Sequence, residues 1–295
     1  MEGFLSYNDN ISLRFDVEKV NGIISWNNEQ VKYIIEQYEY KKVSIKDISK
    51  QFNCSDGSIR RLLIRNNVKI RDKLLYRNSD YFENIDSSDK AYWLGIMYSD
   101  GCVCERANGR YSIELEMIDK EHIEKFRSAL NADNHKISTI IHKNINNAKL
   151  SYAIHIYDNK MAKDLIKLGC IPRKSYYLSS IPDINQEFIY DFIRGFVDGD
   201  GCICYNKSSD SYVFKLTGAS PLFLKDIMSI LKIDRLSLNK CTETSYQVTS
   251  SKRDDIYRIL TKLYEHSTEI TRLNRKYKKY QEFIRWYEKK AIRSE

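Results

Sequence analysis

The sequence predicts an α+β fold in which two pseudo-symmetric halves, each with the element order αββαββα, follow a small all-α N-terminal domain. The halves are indicated by an internal repeat, because the segment WLGIMYSDG at 93–101 returns as IRGFVDGDG at 193–201. The repeat has the size of a small domain, so we expect two copies of one folding unit. The N-terminal domain is indicated by apolar residues at helical spacing between 26 and 72.

Residues 26–72 are predicted to form three short helices. The second begins after Ser44, a favoured N-cap residue, and the third follows a break at 53–55. Two helices joined by a short turn, with the small Ser49 facing that turn, are typical of a helix-turn-helix. The third helix presents outward residues of the types that contact base edges and phosphates, namely Ser55, Ser58, Arg60 and Arg61. The alternative is a three-helix module that only packs.

The rest of the chain is divided by composition and by the repeat. Residues 1–25 contain only a candidate strand near 11–15, and the polar stretch 73–88 is predicted to be a linker. Half one is expected over 89–182 and half two, with a C-terminal helix, over 183–295. Alternation and helical spacing predict the same elements after the motif helix of each half. In half one they are strands at 102–108 and 110–117, a helix at 120–130, strands at 136–143 and 149–157, and a helix at 159–168. In half two they are strands at 201–206 and 211–218, a helix at 221–231, strands at 235–240 and 245–250, and a helix at 252–265.

Each copy of the repeat is an apolar helix with small residues four positions apart. These are Gly95 and Ser99 in the first copy, and Gly195 and Gly199 in the second. Positions i and i+4 lie on one face of a helix, so the two helices are expected to pack closely through these faces. The alternative is a duplicated α/β domain in which Asp-Gly only turns a helix into a strand.

The close packing would bring together the aspartates that end the two helices, Asp100 and Asp200. With the adjacent Gly101 and Gly201 they are the candidate metal ligands. Two oxygen ligands from two half-domains suit a hard divalent cation such as Mg²⁺, whose other ligands are water and phosphate. This arrangement is typical of metal-assisted phosphodiester cleavage, and the two aspartates are the candidate catalytic pair.

Both copies resemble the motif of the LAGLIDADG homing endonucleases. The resemblance extends from about Tyr81 to about Tyr280 and includes DKAYWLG at 89–95 and FIRGF at 192–196. It implies a sequence-specific double-strand DNA endonuclease that uses Mg²⁺ or Mn²⁺, with Ca²⁺ expected to bind without supporting cleavage. It also implies that the two sheets form a DNA-binding saddle. Because one chain supplies both half-sites, the resemblance implies a monomer, and it implies a gene carried by a mobile element such as an intron.

The resemblance also implies a lysine near the catalytic centre of each half. Lys174 and Lys276 lie at equivalent positions, 74 and 76 residues after the motif aspartates. They are expected to stabilise charge or position water, and a plain phosphate clamp is the alternative. Asp198, at the sixth motif position, matches an acidic residue often found there. Its counterpart is Tyr98, so we expect Asp198 to have only a surface or hinge role.

Alternation along the first strand of each half predicts which side chains face the DNA. Val103 and Ile203 are expected in the core, which leaves the thiols of Cys102, Cys104, Cys202 and Cys204 on the saddle. Candidate DNA contacts near these strands are Arg106, Asn108, Arg110, Asn206 and Lys207. The alternative for each is a solvent-facing residue at a sheet edge.

Composition supports a polyanionic partner. The chain has 48 basic and 40 acidic residues, a net charge of +8, and basic stretches at 59–71 and 272–280. A solvated helix face is the alternative for the second stretch. No apolar run approaches the roughly 18 residues that a membrane helix needs, and no signal peptide is evident, so a soluble intracellular protein is expected.

Other chemistries are disfavoured by the motifs. The seven cysteines are expected to be reduced, and a four-thiol zinc site would have poor spacing. No glycine-rich phosphate loop or histidine-metal nuclease motif occurs. An intein is disfavoured because the sequence begins with Met1 rather than a Cys or Ser nucleophile and ends without His-Asn. Two alternatives use the same scaffold, namely a non-catalytic DNA-binding regulator and an intron-RNA maturase. Metal-dependent DNA cleavage separates the endonuclease from both.

Overall fold

The computed structural model describes residues 18–20, 23–41, 43–70, 77–142, 150–174, 177–232 and 236–292. The candidate strand at 11–15 lies outside these ranges. The chain divides into two compact units, 1–74 and 75–295, which are described separately. Within the described ranges, we find no helix whose length and hydropathy would let it cross a membrane.

The described part of the first unit contains three helices and two short paired strands. Its elements are β1 (Glu18–Val20), β2 (Ile23–Ser25), α1 (Asn28–Glu39), α2 (Ile45–Gln51) and α3 (Asp56–Arg65). The strands β1 and β2 pair in an antiparallel sheet and lie within residues 1–25, before the predicted all-α domain 26–72, whose described elements are the three helices. Strands of three residues are too short to show an alternation pattern, which is why the sequence did not reveal them.

Local capping explains where the three helices of the first unit begin. Asn27 and Gln30 form a capping box at α1, and the hydroxyls of Ser44 and Ser55 cap α2 and α3. The turn between α2 and α3 is fixed by Ser49, whose buried Oγ donates to Oδ1 of Asp56 at 2.5 Å. The helices surround a small core: Ile34, Tyr38, Ile48, Phe52, Ile59, Leu62, Leu63 and Val68. Whether this unit binds DNA stays a prediction.

The second unit has the predicted class, two αββαββα halves. Half one contains α4 (Ser88–Ser99), β3 (Gly101–Arg106), β4 (Arg110–Met117), α5 (Lys120–Ala129), β5 (Ile137–Ile140), β6 (Ser151–Tyr157) and α6 (Asn159–Lys167). Half two contains α7 (Ile189–Asp200), β7 (Gly201–Asn206), β8 (Ser211–Gly218), α8 (Pro221–Leu231), β9 (Ser237–Thr242), β10 (Ser245–Ser250), α9 (Arg253–Tyr264) and the additional α10 (Asn274–Ile292).

The two sheets of the second unit have the same topology. Their strand orders are β3-β4-β6-β5 and β7-β8-β10-β9, and every neighbouring pair is antiparallel. Val103 and Ile203 are buried in the core, as predicted, and they pair with the buried Ile113 and Phe214. The neighbouring Cys102 and Cys104 point to the opposite face, as do their counterparts in β7, and all four thiols there are free. Each sheet therefore keeps one face for the core and one for solvent or a partner.

The described part of the predicted linker is packed into the second unit. Phe82 is fully buried, and Tyr81 is nearly so. Arg77 donates from Nε to Oδ2 of Asp158 at 2.5 Å, and Ser79 bonds to the same oxygen. Residues 77–88 therefore belong structurally to half one, and the earlier part of the predicted linker, 73–76, lies outside the described residues.

Candidate active site

The site is built on two helices whose backbones touch. Residues 91–98 of α4 are buried without interruption, as are 192–198 of α7. A Cβ added to Gly95 would overlap the carbonyl oxygen of Phe192, and one added to Gly195 would overlap that of Tyr92. The contacts are reciprocal, as expected of a pseudo-twofold axis between the helices. Only glycine permits this approach, so these two positions fix how the halves meet.

The same interface continues to the C-terminal ends of the helices. Ser99 and Gly199 face each other there, because a Cβ on Gly199 would overlap the Ser99 hydroxyl. That Cβ would also lie 2.9 Å from Oδ2 of Asp100. Asp100 caps the C-terminus of α4, and Asp200 is the last residue of α7. The packing therefore places the two carboxylates beside each other.

The environment of the carboxylates disfavours two negative charges. Both side chains are reached by solvent, yet they lie in a recess crowded by protein atoms. This burial raises the pKa of Asp100, and it raises the pKa of Asp200, with a further contribution from the charge of Asp100, to about 7. The ammonium groups of Lys174 and Lys276 act in the opposite direction. A recess in which burial and a neighbouring carboxylate raise the pKa of Asp200 is a site where a cation would be bound favourably.

Lys276 lies beneath the end of α7. Its Nζ donates to the carbonyl oxygens of Val197 at 2.7 Å, Gly199 at 3.1 Å and Gly201 at 2.6 Å. The side chain is almost fully buried, and burial lowers its pKa to about 8. The nearby carboxylate of Asp198 acts in the opposite direction and raises this pKa. A cation at a helix C-terminus satisfies carbonyl groups that have no partner in the helix. All three ammonium hydrogens are used in this way.

Lys174 has the same place in half one. Its Nζ donates to the carbonyl oxygens of Ser99, at 3.2 Å, and of Gly101, and the side chain is buried. Both predicted lysines therefore contact the backbone on either side of the motif aspartates. They supply fixed positive charge close to both carboxylates.

The donor set fits a hard divalent cation. Within the part of the chain that the structure describes, no group of three or more His, Cys, Asp or Glu side chains could hold a metal, so a four-thiol zinc site does not form there. Asp100 and Asp200 provide two carboxylates, whereas the carbonyl oxygens of Gly101 and Gly201, also predicted as ligands, accept from the ammonium groups of Lys174 and Lys276. Mg²⁺ is commonly held by one or two carboxylates and completes its coordination with water and substrate phosphates.

The predicted DNA contacts on the sheets are partly engaged within the protein. Arg106 donates from Nε to Oγ of Ser112 at 2.9 Å and forms an ion pair with Glu114. The amide oxygen of Asn206 accepts two bonds from Ser208. Two further candidates, Arg110 and Lys207, are exposed, and the side chain of Asn108 lies outside the described residues.

In the first unit, the serines predicted to contact DNA are used in capping. Ser55 Oγ accepts from the amide of Ser58 at 3.2 Å and lies 2.9 Å from the Ser58 hydroxyl. Ser55 is the N-cap, so it precedes α3 rather than standing on its outer face. Arg60 and Arg61 are exposed on α3.

The expectation of a surface or hinge role for Asp198 is wrong. The residue is fully buried and accepts hydrogen bonds from the hydroxyls of Tyr92, at 2.8 Å, and Tyr264, at 2.5 Å, and from the amide of Leu273, at 2.7 Å. The sequence did carry a signal, since Asp198 directly follows the apolar residues Phe196 and Val197 within the motif helix. Its counterpart Tyr98 has no charge, so the repeat itself does not indicate a buried carboxylate at this position.

Comparisons with known proteins give relatives over part of the chain. No family model matches. The chain is 29% identical over 160 residues to an uncharacterized protein of Methanocaldococcus jannaschii, covering 53% of this chain and 58% of that protein. It is 27% identical over 143 residues to the DNA-directed RNA polymerase subunit Rpo1C of the same organism, covering 48% and 15%. It is 25% identical over 186 residues to the ribonucleoside-diphosphate reductase NrdEB subunit alpha of Bacillus subtilis, covering 60% and 17%. The chain thus spans less than two thirds of each of these proteins.

Several solved structures with a similar fold are LAGLIDADG enzymes. The meganuclease I-AabMI bound to uncleaved DNA has a TM-score of 0.47 at 14% identity, with 68% of this chain and 91% of that one covered. The homing endonuclease I-GzeII in complex with its DNA target has a TM-score of 0.46 at 13% identity, with 69% and 91% covered. At such values the likeness carries no argument about activity, so the functional assignment depends on the geometry of the chain itself.

Proposed function

We propose that this chain is a LAGLIDADG-type homing endonuclease that hydrolyses one phosphodiester bond in each strand of a specific double-stranded DNA site. The observation that carries the proposal is the placement of Asp100 and Asp200 side by side at the ends of two duplicated helices. The reciprocal contacts of Gly95 and Gly195 explain why this placement is tightly defined. A divalent cation held by the carboxylates would activate water and neutralise the leaving oxygen.

The chain's own residues prepare the site for a phosphate. Lys174 and Lys276 contribute positive charge to a recess where burial and the charge of Asp100 raise the pKa of Asp200. Because the three hydrogens of the Lys276 ammonium group are already bonded to carbonyl oxygens, that lysine acts as a fixed charge rather than as a free clamp. Preorganised charge of this kind stabilises a transition state without reorganisation during the reaction.

The proposed substrate is duplex DNA bound across the outer faces of the two sheets. These faces are related by the same repeat as the aspartates, so each is expected to contact one half-site. One polypeptide supplies both faces, which allows an asymmetric target and requires no dimer. The net charge of +8 is consistent with a polyanionic partner.

The proposal is tested in two steps, because the target is unidentified. A randomised duplex library is first enriched for binding to the full chain in Ca²⁺, which is expected to support binding without cleavage. The enriched pool is then incubated with Mg²⁺ or Mn²⁺, and products are resolved on native and denaturing gels. Metal-dependent cuts in both strands, absent with Asp100→Asn and Asp200→Asn, support the endonuclease. Tight binding without any cleavage would instead support the DNA-binding regulator, and splicing of a structured RNA would support the maturase.

A further inference from the structure

The residue two positions before each motif aspartate contacts the segment that carries the lysine of the same half. In half one the hydroxyl of Tyr98 donates to the carbonyl oxygen of Leu168, six residues before Lys174. In half two the carboxylate of Asp198 accepts from the amide of Leu273, three residues before Lys276. The two side chains differ in chemistry but make their contact at corresponding places.

The half-two contact fixes the first turn of α10. Amides at a helix N-terminus have no partner within the helix, and Asp198 accepts the N–H of Leu273, the residue directly before α10. The carbonyl oxygen of Leu273 in turn accepts from the amides of Lys276 and Tyr277, both at 2.9 Å. Holding Leu273 therefore holds the backbone of Lys276 at a set distance from the end of α7.

Asp198 is itself held from three directions. Besides Leu273 at the start of α10, it is bonded by Tyr92 from α4 and by Tyr264 from α9. Hydrogen bonds to a carboxylate are stronger than those between neutral groups, and an unmade one is costly in a buried position. The orientation of Asp198 is thus determined by both motif helices and by the last helix pair of half two.

The half-one contact depends on a glycine. Gly169 adopts a φ of +91°, and a Cβ there would overlap the hydroxyl of Tyr98. The absence of a side chain lets Tyr98 reach the carbonyl oxygen of Leu168. A second contact supports the same segment, since Sγ of Cys170 lies 3.4 Å from the carbonyl oxygen of Met97.

We propose that the sixth motif position is a positioning residue for the lysine of its own half, with Asp198 setting the place of Lys276 and Tyr98 that of Lys174. The inference rests on the proposed endonuclease function for its effect on cleavage. Since the halves are related by a pseudo-twofold axis, loss of one contact should affect one strand of the target, and loss of the other contact should affect the opposite strand.

The first measurement does not depend on cleavage. Amide hydrogen exchange of the full, metal-free chain is compared for the wild type, Asp198→Leu and Tyr98→Phe. Asp198→Leu keeps a similar shape but has no acceptor for Leu273, so it should accelerate exchange in the first turn of α10 at least tenfold and leave residues 168–174 unchanged, and Tyr98→Phe should do the reverse. Tyr98→Phe removes a single hydroxyl and keeps the ring, so it is informative even if Asp198→Leu folds poorly. Unchanged exchange in both segments would overturn the inference.

The second measurement is single-turnover cleavage of an enriched target with a different label on each strand. Asp198→Leu should change the ratio of the two strand-cutting rates about tenfold in the same direction as Lys276→Met, and Tyr98→Phe should change it in the direction of Lys174→Met. Tyr264→Phe is the matched control, because it removes the bond to Oδ1 of Asp198 but keeps those of Tyr92 and Leu273 to Oδ2, and it should lower the melting temperature without changing the ratio. Equal slowing of both strands by Asp198→Leu and Tyr98→Phe would overturn the positioning role. A wild type that cuts neither strand would refute the endonuclease and leave the exchange result to decide the contact.

Discussion

The ammonium group of Lys276 donates to the carbonyl oxygen of Gly201, the residue directly after Asp200, at 2.6 Å. Lys174 makes the corresponding bond to Gly101 in half one. The positive charges of the site are therefore attached to the same peptide segments that carry the carboxylates. Any movement of a motif helix end would move both kinds of group together, which keeps their spacing constant.

Replacing either motif aspartate should separate binding from cleavage. Asp100→Asn or Asp200→Asn should abolish double-strand cleavage, because each removes one of two carboxylates available for a cation. Target affinity should stay within about tenfold, or roughly 1.4 kcal/mol, because neither residue lies on the outer sheet faces. Gel-shift titration in Ca²⁺ and cleavage in Mg²⁺ measure the two effects. Full double-strand cutting by either variant would contradict the assignment.

Enlarging the glycine at the helix interface should destabilise the second unit. Gly195→Leu places a side chain where even a Cβ overlaps the carbonyl oxygen of Tyr92, so the helices must separate, at a cost of about 3 kcal/mol or more. Gly218→Ala is the matched control, since a Cβ there meets Leu224 only at ordinary contact distances of 3.4–3.6 Å. Chemical unfolding of both variants, followed by circular dichroism, measures the difference. Wild-type stability for Gly195→Leu would show that α4 and α7 do not pack through this face.

The repeat made much of the second unit predictable. Strand alternation placed Val103 and Ile203 in the core, and the small residues at spacing four placed the helix interface at Gly95 and Gly195, because both patterns are consequences of local geometry. The bonds of Asp198 could not be predicted in this way. Its partners Tyr92, Tyr264 and Leu273 are 66 to 106 residues away, so only the folded arrangement brings them together.

The stability of the metal-free protein should depend on Asp200 and on pH. Burial raises the pKa of Asp200 to about 7, well above its value of about 3.9 in an unfolded chain. Between these values the folded state binds more protons than the unfolded state, so stability falls as the pH rises from about 4 to about 7. Asp200→Asn removes this dependence. The variant should therefore melt at a higher temperature than the wild type at pH 8 without divalent ions, and the difference should shrink as the pH approaches 4.5.

Divalent ions should reverse that order. A cation competes with the proton for Asp200, so Mg²⁺ should raise the melting temperature of the wild type more at pH 8 than at pH 6. Asp200→Asn should respond much less at either pH. Differential scanning fluorimetry with and without Mg²⁺, at constant ionic strength, makes the comparison. An equal Mg²⁺ response in both proteins would mean that the ion binds elsewhere.

The last prediction concerns the first unit. Deletion of residues 1–72 should leave cleavage in place, because α4, α7 and both sheets are in the second unit. If the first unit adds phosphate contacts, the truncated protein should bind more weakly, protect a shorter stretch of DNA and show a shallower dependence of affinity on salt, since each lost contact removes about one released counterion.

Arg60→Ala combined with Arg61→Ala, two exposed residues of α3, should reproduce part of this loss without moving the cut positions. A module that only braces the chain predicts instead an unchanged footprint and salt slope with a lower melting temperature. Footprinting and titration of both proteins at two salt concentrations distinguish these outcomes, and an unchanged footprint would rule out the helix-turn-helix as a DNA contact.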